Sequence, residues 1–437
     1  MSRILAFLGR HPRLRAIARA VSDRFPGLKP FALRKISDLS LWRFGGLKPG
    51  GLAFDPKRPT LLLCVHEANL AGAPILGWNL AREFGKTHNV VCVLLKGGEL
   101  AEEFRAFCCA FVCPDGPTII NADPAAFDRR IVQPAVRAYG LGGIVANSIE
   151  CAIAAVAGQL AGLPTAVLAH EFAEYTAPER LDAVLTSGAT VVFSSRLVEV
   201  SARRAAHGAF PPSLVVPQGR CDVPPMPGRQ PGALDLGSLL EEDEFLCIGL
   251  GAVQPRKGVD LFIAAAIQML RMDGRGHFLW VGDGYDPVFD HQVSIWLKDE
   301  IERGGHADRI RIVPAVGKQD LDRLYARADA MFLSSRLDPL PNVAIDALSE
   351  GVPVVCFESA TGLAEYLRED AALGKLVVPY FDTQAAAAVL LRLQQDRAYR
   401  AELAIRAKSY AARRFDMTAY VESIAQALKR RGEWPAT

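Results

Sequence analysis

The 437-residue sequence contains no apolar run that approaches the ~20 residues needed to cross a bilayer. Its opening residues, MSRILAFLGRHPRLR, hold an apolar stretch that is too short and too soon interrupted for a secretory signal. The closest group of its nine cysteines, Cys108, Cys109 and Cys113, has neither the spacing nor the nearby histidine of a zinc site. We therefore expect a cytoplasmic protein in which these cysteines are reduced and serve as packing residues.

Net charge is also small, at +2, but it is unevenly distributed. Residues 1–48 carry eleven Lys or Arg and two acidic residues, a formal charge of +9, and the rest of the chain carries −7. The apolar residues of this tail form two helical faces with arginines between them, divided by Pro12, as in an interfacial helix: Ile4, Phe7, Leu8, Leu14, Ile17 and Val21. Two interpretations stay open: contact with an anionic membrane surface on the inner face of the cytoplasmic membrane, or packing on the protein or a second copy. No nucleic-acid partner is expected.

The length favours two domains, and half of the residues are hydrophobic, which excludes a disordered chain. Short β-branched runs alternate with helix-length segments, a pattern that predicts parallel sheets of the α/β class. Six such strands are expected at 60–65, 89–95, 142–147, 165–170, 190–195 and 213–217, and six more at 245–252, 277–282, 309–316, 330–335, 353–358 and 375–380. The Pro- and Gly-rich segment 219–244 between them has the composition of a linker.

The first motif is GLGAVQPRKGVDLFIAAA, which begins at Gly249 and matches neither a P-loop nor a GxGxxG fingerprint. A predicted strand ends in a glycine-bearing loop, and Arg256 and Lys257 follow at the entry of a helix that starts at Val259. Glycines let the backbone approach a ligand closely, and two cations beside a helix N-terminus suit a diphosphate. Because an Arg-Lys pair is more often a solvated surface pair, the motif alone leaves both interpretations open.

The second motif, SSRLDPLPNVAIDALSEGVPVV, begins at Ser334 and contains Asp338 and Asp346 with seven residues between them. Pro339 and Pro341 stiffen the loop that carries Asp338, and Asn342 is expected as the N-cap of a helix in which Asp346 occupies the first turn or so. Two carboxylates at the mouth of a sheet could bind sugar hydroxyl groups. An exposed helix residue favoured by the macrodipole explains Asp346 equally well.

The order of these motifs resembles the C-terminal half of family 4 glycosyltransferases, which have the GT-B fold. The resemblance rests on the KG-helix, VGDG, DPLPNVAIDALSEGVPVV and the Thr361-Gly362 turn; in the N-terminal half it rests on CVHEANLAGAPILGWNLARE, VLLKGGELAEEFR, and an Asn-Ser followed by LAHE. It covers about residues 60–430. It implies two Rossmann-like doubly wound domains facing a central cleft, and a metal-independent, retaining transfer from a nucleotide diphosphosugar, a UDP- or GDP-sugar, with no further cofactor.

The resemblance assigns residues only at matching positions. Lys257 corresponds to the family's donor-phosphate lysine, Asp338 and Asp346 to two glutamates directed at the sugar and the ribose, and His170 to a histidine near the anomeric carbon. The implied catalytic residues are His170, Lys257 and Asp338. The implied donor-binding residues are Gly72, Ala73, Gly251, Arg256, Lys257, Gly282, Leu340, Pro341, Asn342, Val343 and Asp346.

Three positions depart from the family pattern: Gly251-Ala252 replaces Gly-Arg, both carboxylates are aspartate, and Thr361-Gly362 replaces Gly-Gly. We predict a hexosyltransferase that acts on a glycan or lipid-linked acceptor in bacterial-type polysaccharide or glycolipid synthesis. Two alternatives stay open, a non-catalytic GT-B subunit or glycan-binding partner protein and a sugar-nucleotide 2-epimerase. The predicted boundaries are a basic extension (1–55), an acceptor domain (56–225), a donor domain (226–395) and C-terminal helices that pack back on the acceptor domain (396–437).

Overall fold

The structure is a computed structural model, and it describes residues 28–43, 46–224, 244–272 and 274–429. The predicted interfacial helix around Pro12 and most of the predicted linker lie outside the described residues. Among the described residues the chain divides into two units. The first holds residues up to Phe193, Ser201–Leu214 and those from Val421 onward, and the second holds Ser194–Val200 and Val215–Tyr420.

An eight-stranded sheet organises the first unit, in the order β1-β4-β3-β2-β5-β6-β7-β8. Its strands are β1 (Lys48–Pro49), β2 (Thr60–Val65), β3 (Asn89–Leu94), β4 (Ala110–Val112), β5 (Leu141–Asn147), β6 (Thr165–Ala169), β7 (Thr190–Phe193) and β8 (Ser213–Val215). The helices up to this point are α1 (Leu28–Arg43), α2 (Gly72–Phe84), α3 (Ala101–Arg105), α4 (Pro124–Phe127), α5 (Gln133–Tyr139), α6 (Ala152–Ala161), α7 (Pro178–Thr186) and α8 (Arg196–Ala205). The strands from β2 to β7 pair in parallel, and β1 joins β4 antiparallel.

A six-stranded parallel sheet, in the order β11-β10-β9-β12-β13-β14, organises the second unit. Its strands are β9 (Leu246–Leu250), β10 (His277–Val281), β11 (Ile310–Val313), β12 (Ala330–Leu333), β13 (Val354–Phe357) and β14 (Val377–Val378). The helices that follow are α9 (Val259–Arg271), α10 (Ser294–Gly304), α11 (Lys318–Arg327), α12 (Asn342–Ser349), α13 (Leu363–Leu367), α14 (Thr383–Gln395), α15 (Arg397–Arg414) and α16 (Met417–Lys429). Short 3₁₀ turns occur at Ile149–Cys151, Ala173–Tyr175, Pro255–Lys257 and Leu373–Leu376, and a π turn at Asp128–Val132.

The central strands of both sheets are buried along their whole length, as in β2, β3, β6 and β9. Parallel strands covered by helices on both faces bury their side chains on both sides, which explains the continuous apolar runs in the sequence. All twelve predicted strands are present, and the predicted fold class, with two Rossmann-like doubly wound domains, is confirmed. The predicted central cleft and domain boundaries stay predictions.

Two strands were not predicted, β1 and β4, because each has only two or three residues and no clear alternation. The cysteine cluster beside β4 is a packing cluster, as expected. Cys108 and Cys109 are buried, and burial raises the pKa of the Cys108 thiol to about 12, so this thiol is not a nucleophile at neutral pH. Asp416 caps the start of α16, because its carboxylate accepts from the Ala419 N–H at 2.7 Å. No helix of the described residues is long and apolar enough to cross a membrane.

Candidate functional site

Each of the two sheets contains a point at which the strand order reverses, and the loops beside that point lie at one edge of the same sheet. In the second sheet β9 and β12 are neighbours, but the chain leaves β9 toward β10 and leaves β12 toward β13, on opposite sides. In the first sheet β2 and β5 are neighbours in the same relation. The loops after such strand pairs separate at the carboxyl edge of the sheet and leave a crevice, which is where open α/β sheets bind ligands.

The loop after β9 is held against the loop after β10 by close backbone approach. The Trp280 indole N–H donates to the Gly251 carbonyl at 2.8 Å, and Gly251 itself has φ +139°, in the region that favours glycine. A Cβ atom added at Gly282 would lie 1.9 Å from that same carbonyl oxygen. Gly251 and Gly282, both predicted as donor-binding residues, therefore permit the two loops to meet.

Arg256 and Lys257 converge on one buried carboxylate. Both lie in the 3₁₀ turn before α9, and the Lys257 ammonium forms a close ion pair with Asp338, which is only 6% exposed. Arg256 Nη1 lies 3.5 Å from Asp338 Oδ1 and donates to the Leu337 carbonyl at 3.0 Å. Three residues that the sequence analysis selected from separate motifs are thus in contact, with one positive charge in excess.

The Asp338 loop is held by the turn that follows β13. The Asp338 N–H donates to the Ala360 carbonyl at 2.8 Å, and the Gly362 N–H donates to the Pro339 carbonyl at 2.7 Å. A Cβ atom at Gly362 would lie 2.5 Å from the Pro339 oxygen, so a glycine is required at this position. The predicted Thr361-Gly362 turn therefore supports the loop that carries Asp338.

Arg336, in the loop after β12, contacts the turn that carries Arg256 and the start of α9. The sequence analysis did not predict this residue. Its guanidinium makes two hydrogen bonds to the Asp260 carboxylate at 2.8 and 2.6 Å and one to the Pro255 carbonyl at 2.7 Å. Burial alone would raise the pKa of Asp260, but the Arg336 hydrogen bonds and charge lower it below its ordinary value. The turn that carries Arg256 is thereby fixed to the loop after β12.

The start of α12 differs from the prediction. Asn342 is the first residue of the helix, and the extended Pro341 (φ −73°, ψ 131°) occupies the N-cap position, so the predicted Asn342 cap is wrong. The physical reason is a side-chain partner elsewhere: the Gln218 amide donates to the Asn342 side-chain oxygen and to the Leu340 carbonyl at 3.2 Å. Val343, the next predicted donor contact, has a carbonyl that accepts from the Tyr325 hydroxyl at 3.0 Å.

Asp346 lies one turn into α12, where its carboxyl is largely buried. Its ion-pair partner is Arg220, with Nε 3.4 Å from Asp346 Oδ1. Burial raises the pKa of Asp346 to about 7, although the Arg220 charge acts in the opposite direction. The group predicted to bind a ribose is therefore only partly ionised at neutral pH.

In the first unit, Asn147 at the end of β5 links the predicted residues. Its amide Nδ2 donates to the Ala73 carbonyl at 2.7 Å, next to Gly72 at the start of α2, and its Oδ1 lies 3.0 Å from His170 Nε2. This arrangement assigns the imidazole proton to Nε2, because the Asn147 oxygen can only accept. His170 Nδ1 is then an acceptor, buried and without a partner among the described residues.

Burial lowers the pKa of His170 to about 4, with the nearby His66 acting in the same direction, so the imidazole is neutral at physiological pH. Glu171 holds the loop that carries it: its carboxylate accepts from the N–H groups of His170 at 3.1 Å and Ile149 at 3.2 Å, and from the Ser148 hydroxyl. Ser148 has φ +122°, a strained conformation for a residue with a side chain. The loops after β5 and β6 are thus fixed to each other.

Comparisons with known proteins match this chain to glycosyltransferases. Residues 242–396 match the model of the family described as glycosyl transferases group 1. The chain is 29% identical to the D-inositol 3-phosphate glycosyltransferase of Segniliparus rotundus, over 44% of this chain and 45% of that protein. It is 30% identical to the O-antigen chain mannosyltransferase B of Escherichia coli, over 35% of this chain and 37% of that protein. The chain thus spans about half or less of the length of these curated relatives.

Among solved structures, the chain is similar to Anabaena HepE in complex with UDP-glucose, with a TM-score of 0.64 and 19% identity, over 85% of this chain and 99% of that one. It is equally similar to the sucrose-phosphate synthase of Thermosynechococcus elongatus, with a TM-score of 0.65. At such identities the likeness shows the fold.

The resemblance to GT-B glycosyltransferases is confirmed. The narrower assignment to family 4 and the roles of the individual site residues stay predictions. Within the GT-B chain, Lys257, Asp338 and Asp346 all lie in the segment that matches the family model.

The sequence analysis missed Gln218, Arg220 and Arg336. The first two lie at the edge of the segment interpreted as a linker, before the matched region, and Arg336 is one of many arginines in the chain. The only available signal was the position of Gln218 and Arg220 directly after a predicted strand, where ligand-binding loops of α/β sheets begin.

Proposed function

We propose that this chain is a retaining glycosyltransferase that moves a hexose from a UDP- or GDP-sugar to a hydroxyl group of a glycan or lipid-linked acceptor. The observation that carries the proposal is the convergence of Arg256 and Lys257 on the buried Asp338 at the strand-order reversal of the second sheet. That cluster lies inside the segment that matches glycosyl transferases group 1. Two cations around a single carboxylate leave one positive charge in excess, which suits an anionic ligand.

The donor diphosphate would replace one oxygen of the Asp338 carboxylate as an ion-pair partner of Lys257 and Arg256. Asp338, freed at one oxygen, would accept a hydrogen bond from a hydroxyl of the transferred sugar, and Asp346 would accept from the ribose hydroxyls. The diphosphate charge is then met by side-chain cations and by the helix starts of α9 and α12, and the proposal requires no metal ion. Among the described residues no group of three or more His, Cys, Asp or Glu could hold one.

In the reaction, the bond between the anomeric carbon and the β-phosphate oxygen breaks, and a bond from that carbon to the acceptor oxygen forms on the same face of the sugar. The nucleoside diphosphate leaves with the bonding electron pair, stabilised by Lys257 and Arg256. The proton of the acceptor hydroxyl passes to a phosphate oxygen of the leaving group. His170, neutral and with Nδ1 as an acceptor, would orient a hydroxyl group near the anomeric carbon.

The acceptor class and the membrane association are also proposals. The Escherichia coli relative is named for O-antigen chains, which supports a polysaccharide or glycolipid product. Support for contact with an anionic membrane comes from the +9 charge of residues 1–48 and from two apolar side chains three residues apart on α1, Leu39 and Trp42, which are 48% and 66% exposed. Sedimentation of the full chain with anionic liposomes should fall for a Leu39→Ser/Trp42→Ser variant; unchanged sedimentation would argue against this surface.

The central test is a thermal shift of the full chain against UDP-, GDP-, ADP- and dTDP-sugars. We expect stabilisation by one nucleotide class, and loss of that stabilisation in Lys257→Ala. Turnover with the stabilising donor is then measured as release of the nucleoside diphosphate in the presence of acceptor. Stabilisation by no donor would favour the non-catalytic subunit, and release of a 2-epimerised sugar would favour the epimerase.

A further inference from the structure

The ion pair between Arg220 and Asp346 joins a proposed donor-binding carboxylate to a residue outside the matched family segment. We propose that Arg220 is a positioning residue of the donor site, which favours the ionised form of the Asp346 carboxyl and orients it toward the hydroxyl groups of the donor's ribose. This inference rests on the proposed function, because it requires a nucleotide diphosphosugar to bind beside Asp346.

The backbone around Arg220 is fixed on two sides. The Arg220 N–H donates to the Phe415 carbonyl at 2.7 Å. Two residues earlier, the Gln218 amide donates to the Leu340 carbonyl and to the Asn342 side chain at the start of α12. Arg220 is therefore presented to α12 from a segment that is anchored both to that helix start and to the segment before α16.

The guanidinium of Arg220 bridges the carboxylates of Asp346 on α12 and of Glu350, the residue that caps the C-terminal end of this helix. Nε lies 3.4 Å from Asp346 Oδ1, and Nη2 donates to Glu350 Oε1 at 2.5 Å. Residues four apart lie one above the other on a helix, so a single fork-shaped guanidinium can reach both. The Arg220 side chain is 43% exposed, which leaves part of its donor surface open toward solvent, whereas the Asp346 carboxyl is largely buried.

The other groups around Asp346 do not replace Arg220. Lys318 on α11 favours the ionised carboxyl from farther away, while Asp222 opposes ionisation. The Tyr325 phenol on α11, buried beside Asp346, has a pKa raised by burial and is neutral.

The remaining neighbour, α15, also packs on α12, and three of its arginines pair with other carboxylates, including Arg414 with Glu369. Arg400 pairs with Asp329, and Arg406 pairs with Glu402. Among the described residues, Arg220 is thus the cation within ion-pair distance of a carboxyl whose pKa is raised by burial.

Ionisation matters because of hydrogen-bond chemistry. An ionised carboxylate accepts from both hydroxyls of a ribose diol, whereas a protonated acid must donate from one of its oxygens. Since burial places the pKa of Asp346 near 7, donor affinity should rise with pH through neutrality and level off above it. Removal of Arg220 should move that rise to higher pH.

The experiment measures the dissociation constants of UDP-glucose and GDP-mannose between pH 6 and 9, for the full chain and for Arg220→Gln. For the stronger-binding donor, we expect the inflection of the curve of affinity against pH to move up by about one pH unit in Arg220→Gln. At pH 7 this shift corresponds to roughly a five- to tenfold loss of affinity, and the loss should disappear by pH 9. An Arg220 with a purely structural role would weaken binding equally at every pH. That result, or an unmoved inflection, would overturn the inference.

Three variants serve as controls. Glu350→Gln removes the other partner of Arg220 and should leave the inflection in place or lower it, never raise it. Asp346→Asn should abolish the inflection. In the double variant Arg220→Gln/Asp346→Asn, the arginine change should add less than twofold to the effect of Asp346→Asn, because Arg220 acts through the carboxyl. A further loss of tenfold would instead show a direct contact with the donor.

A ligand-free measurement separates this inference from the proposed function. The carboxyl carbon of Asp346 is followed by NMR in protein labelled at the aspartate side-chain carboxyls, with Asp346→Asn for assignment. Its titration should move to higher pH in Arg220→Gln, and an unchanged titration would overturn the inference. Failure of the wild-type chain to bind any nucleotide sugar would overturn the proposed function, while this titration still decides whether Arg220 controls Asp346.

Discussion

The two sheets place polar loops at the same topological position but give them opposite electrostatic character. At the strand-order reversal of the second sheet, Arg256 and Lys257 form ion pairs with Asp338. At the reversal of the first sheet, His170 is neutral, because burial lowers its pKa to about 4, and it is held by the uncharged Asn147. The proposed function assigns the anionic donor to the first of these sheet edges and an uncharged hydroxyl group to the second.

This difference matches the two reactants of a sugar transfer. A diphosphate donor carries its negative charge wherever it binds, so its site needs cations that are fixed in place before it arrives. An acceptor hydroxyl carries no charge, and a neutral imidazole orients it without a large desolvation penalty. The following predictions test whether the division between a charged and a neutral site is correct, beginning with the largest expected effect.

Lys257→Ala should remove most of the donor-phosphate interaction. We expect kcat to fall by about 10²–10³-fold, as for the loss of one preorganised group that stabilises a developing negative charge. The matched control is Lys298→Ala, which removes an exposed lysine of α10 that lies 3.7 Å from Glu302 Oε1. Steady-state kinetics with the donor identified by thermal shift provide the measurement, and a loss below tenfold would place the phosphate charge at another site.

His170→Ala should lower kcat by about 10²-fold and leave the donor dissociation constant within twofold. Because the pKa of His170 is about 4, the ratio of wild-type to variant kcat should be constant between pH 6 and 8. His207→Ala, at an exposed histidine of the same unit, is the control. A donor affinity that falls together with kcat would show that the neutral site also binds the donor, and the proposed division would be wrong.

Asp338→Asn should separate binding from turnover at the charged site. Without the buried counter-charge, Lys257 and Arg256 are free for phosphate, so UDP or GDP alone should bind about three- to tenfold more tightly. Turnover should fall by about tenfold or more, because the sugar loses its acceptor carboxylate. Calorimetry and kinetics on the same preparation give both numbers, with Asp338→Glu as the conservative control. Weaker nucleotide binding would mean that Asp338 organises the cations rather than competing for them.

The sequence predicted the strands of the two sheets better than it predicted the side-chain contacts at the candidate site. The strands are short, β-branched and buried, and those properties are local, so all twelve were found. The sequence placed Lys257 and Asp338 each in a loop after a strand, but their contact depends on β9 and β12 being neighbours, and the sequence analysis gave no strand order.

The partners that were missed depend on contacts between distant parts of the chain. Gln218 and Leu340 are 122 positions apart, and nothing near Gln218 in the sequence shows that its amide lies at the start of α12. The same contact explains the wrong N-cap: asparagine is favoured at that position in general, but here its side chain accepts from Gln218 while Pro341 precedes the helix. Tertiary contacts outweighed local preference at this position.

The smallest expected effect concerns stability, and it tests the comparison without any ligand. The pKa of Asp346 is about 7 in the folded protein and near 3.8 when unfolded, so its stabilising contribution is complete below about pH 3.8 and is lost as the pH rises through about 7. His170 has the opposite sign: its folded pKa of about 4 lies below its ordinary value of 6.5, so its contribution is present above pH 6.5 and is lost as the pH falls through about 4.

Between pH 5 and 8, the wild-type chain should therefore lose about 1–3 kcal/mol of unfolding free energy relative to Asp346→Asn. Over the same range, the unfolding free energy of the wild-type chain relative to His170→Gln should rise with pH, and the change should be confined to the acid end. Urea unfolding followed by tryptophan fluorescence measures both, and parallel pH curves for the two variants would contradict the opposite effects of burial on the pKa values of Asp346 and His170.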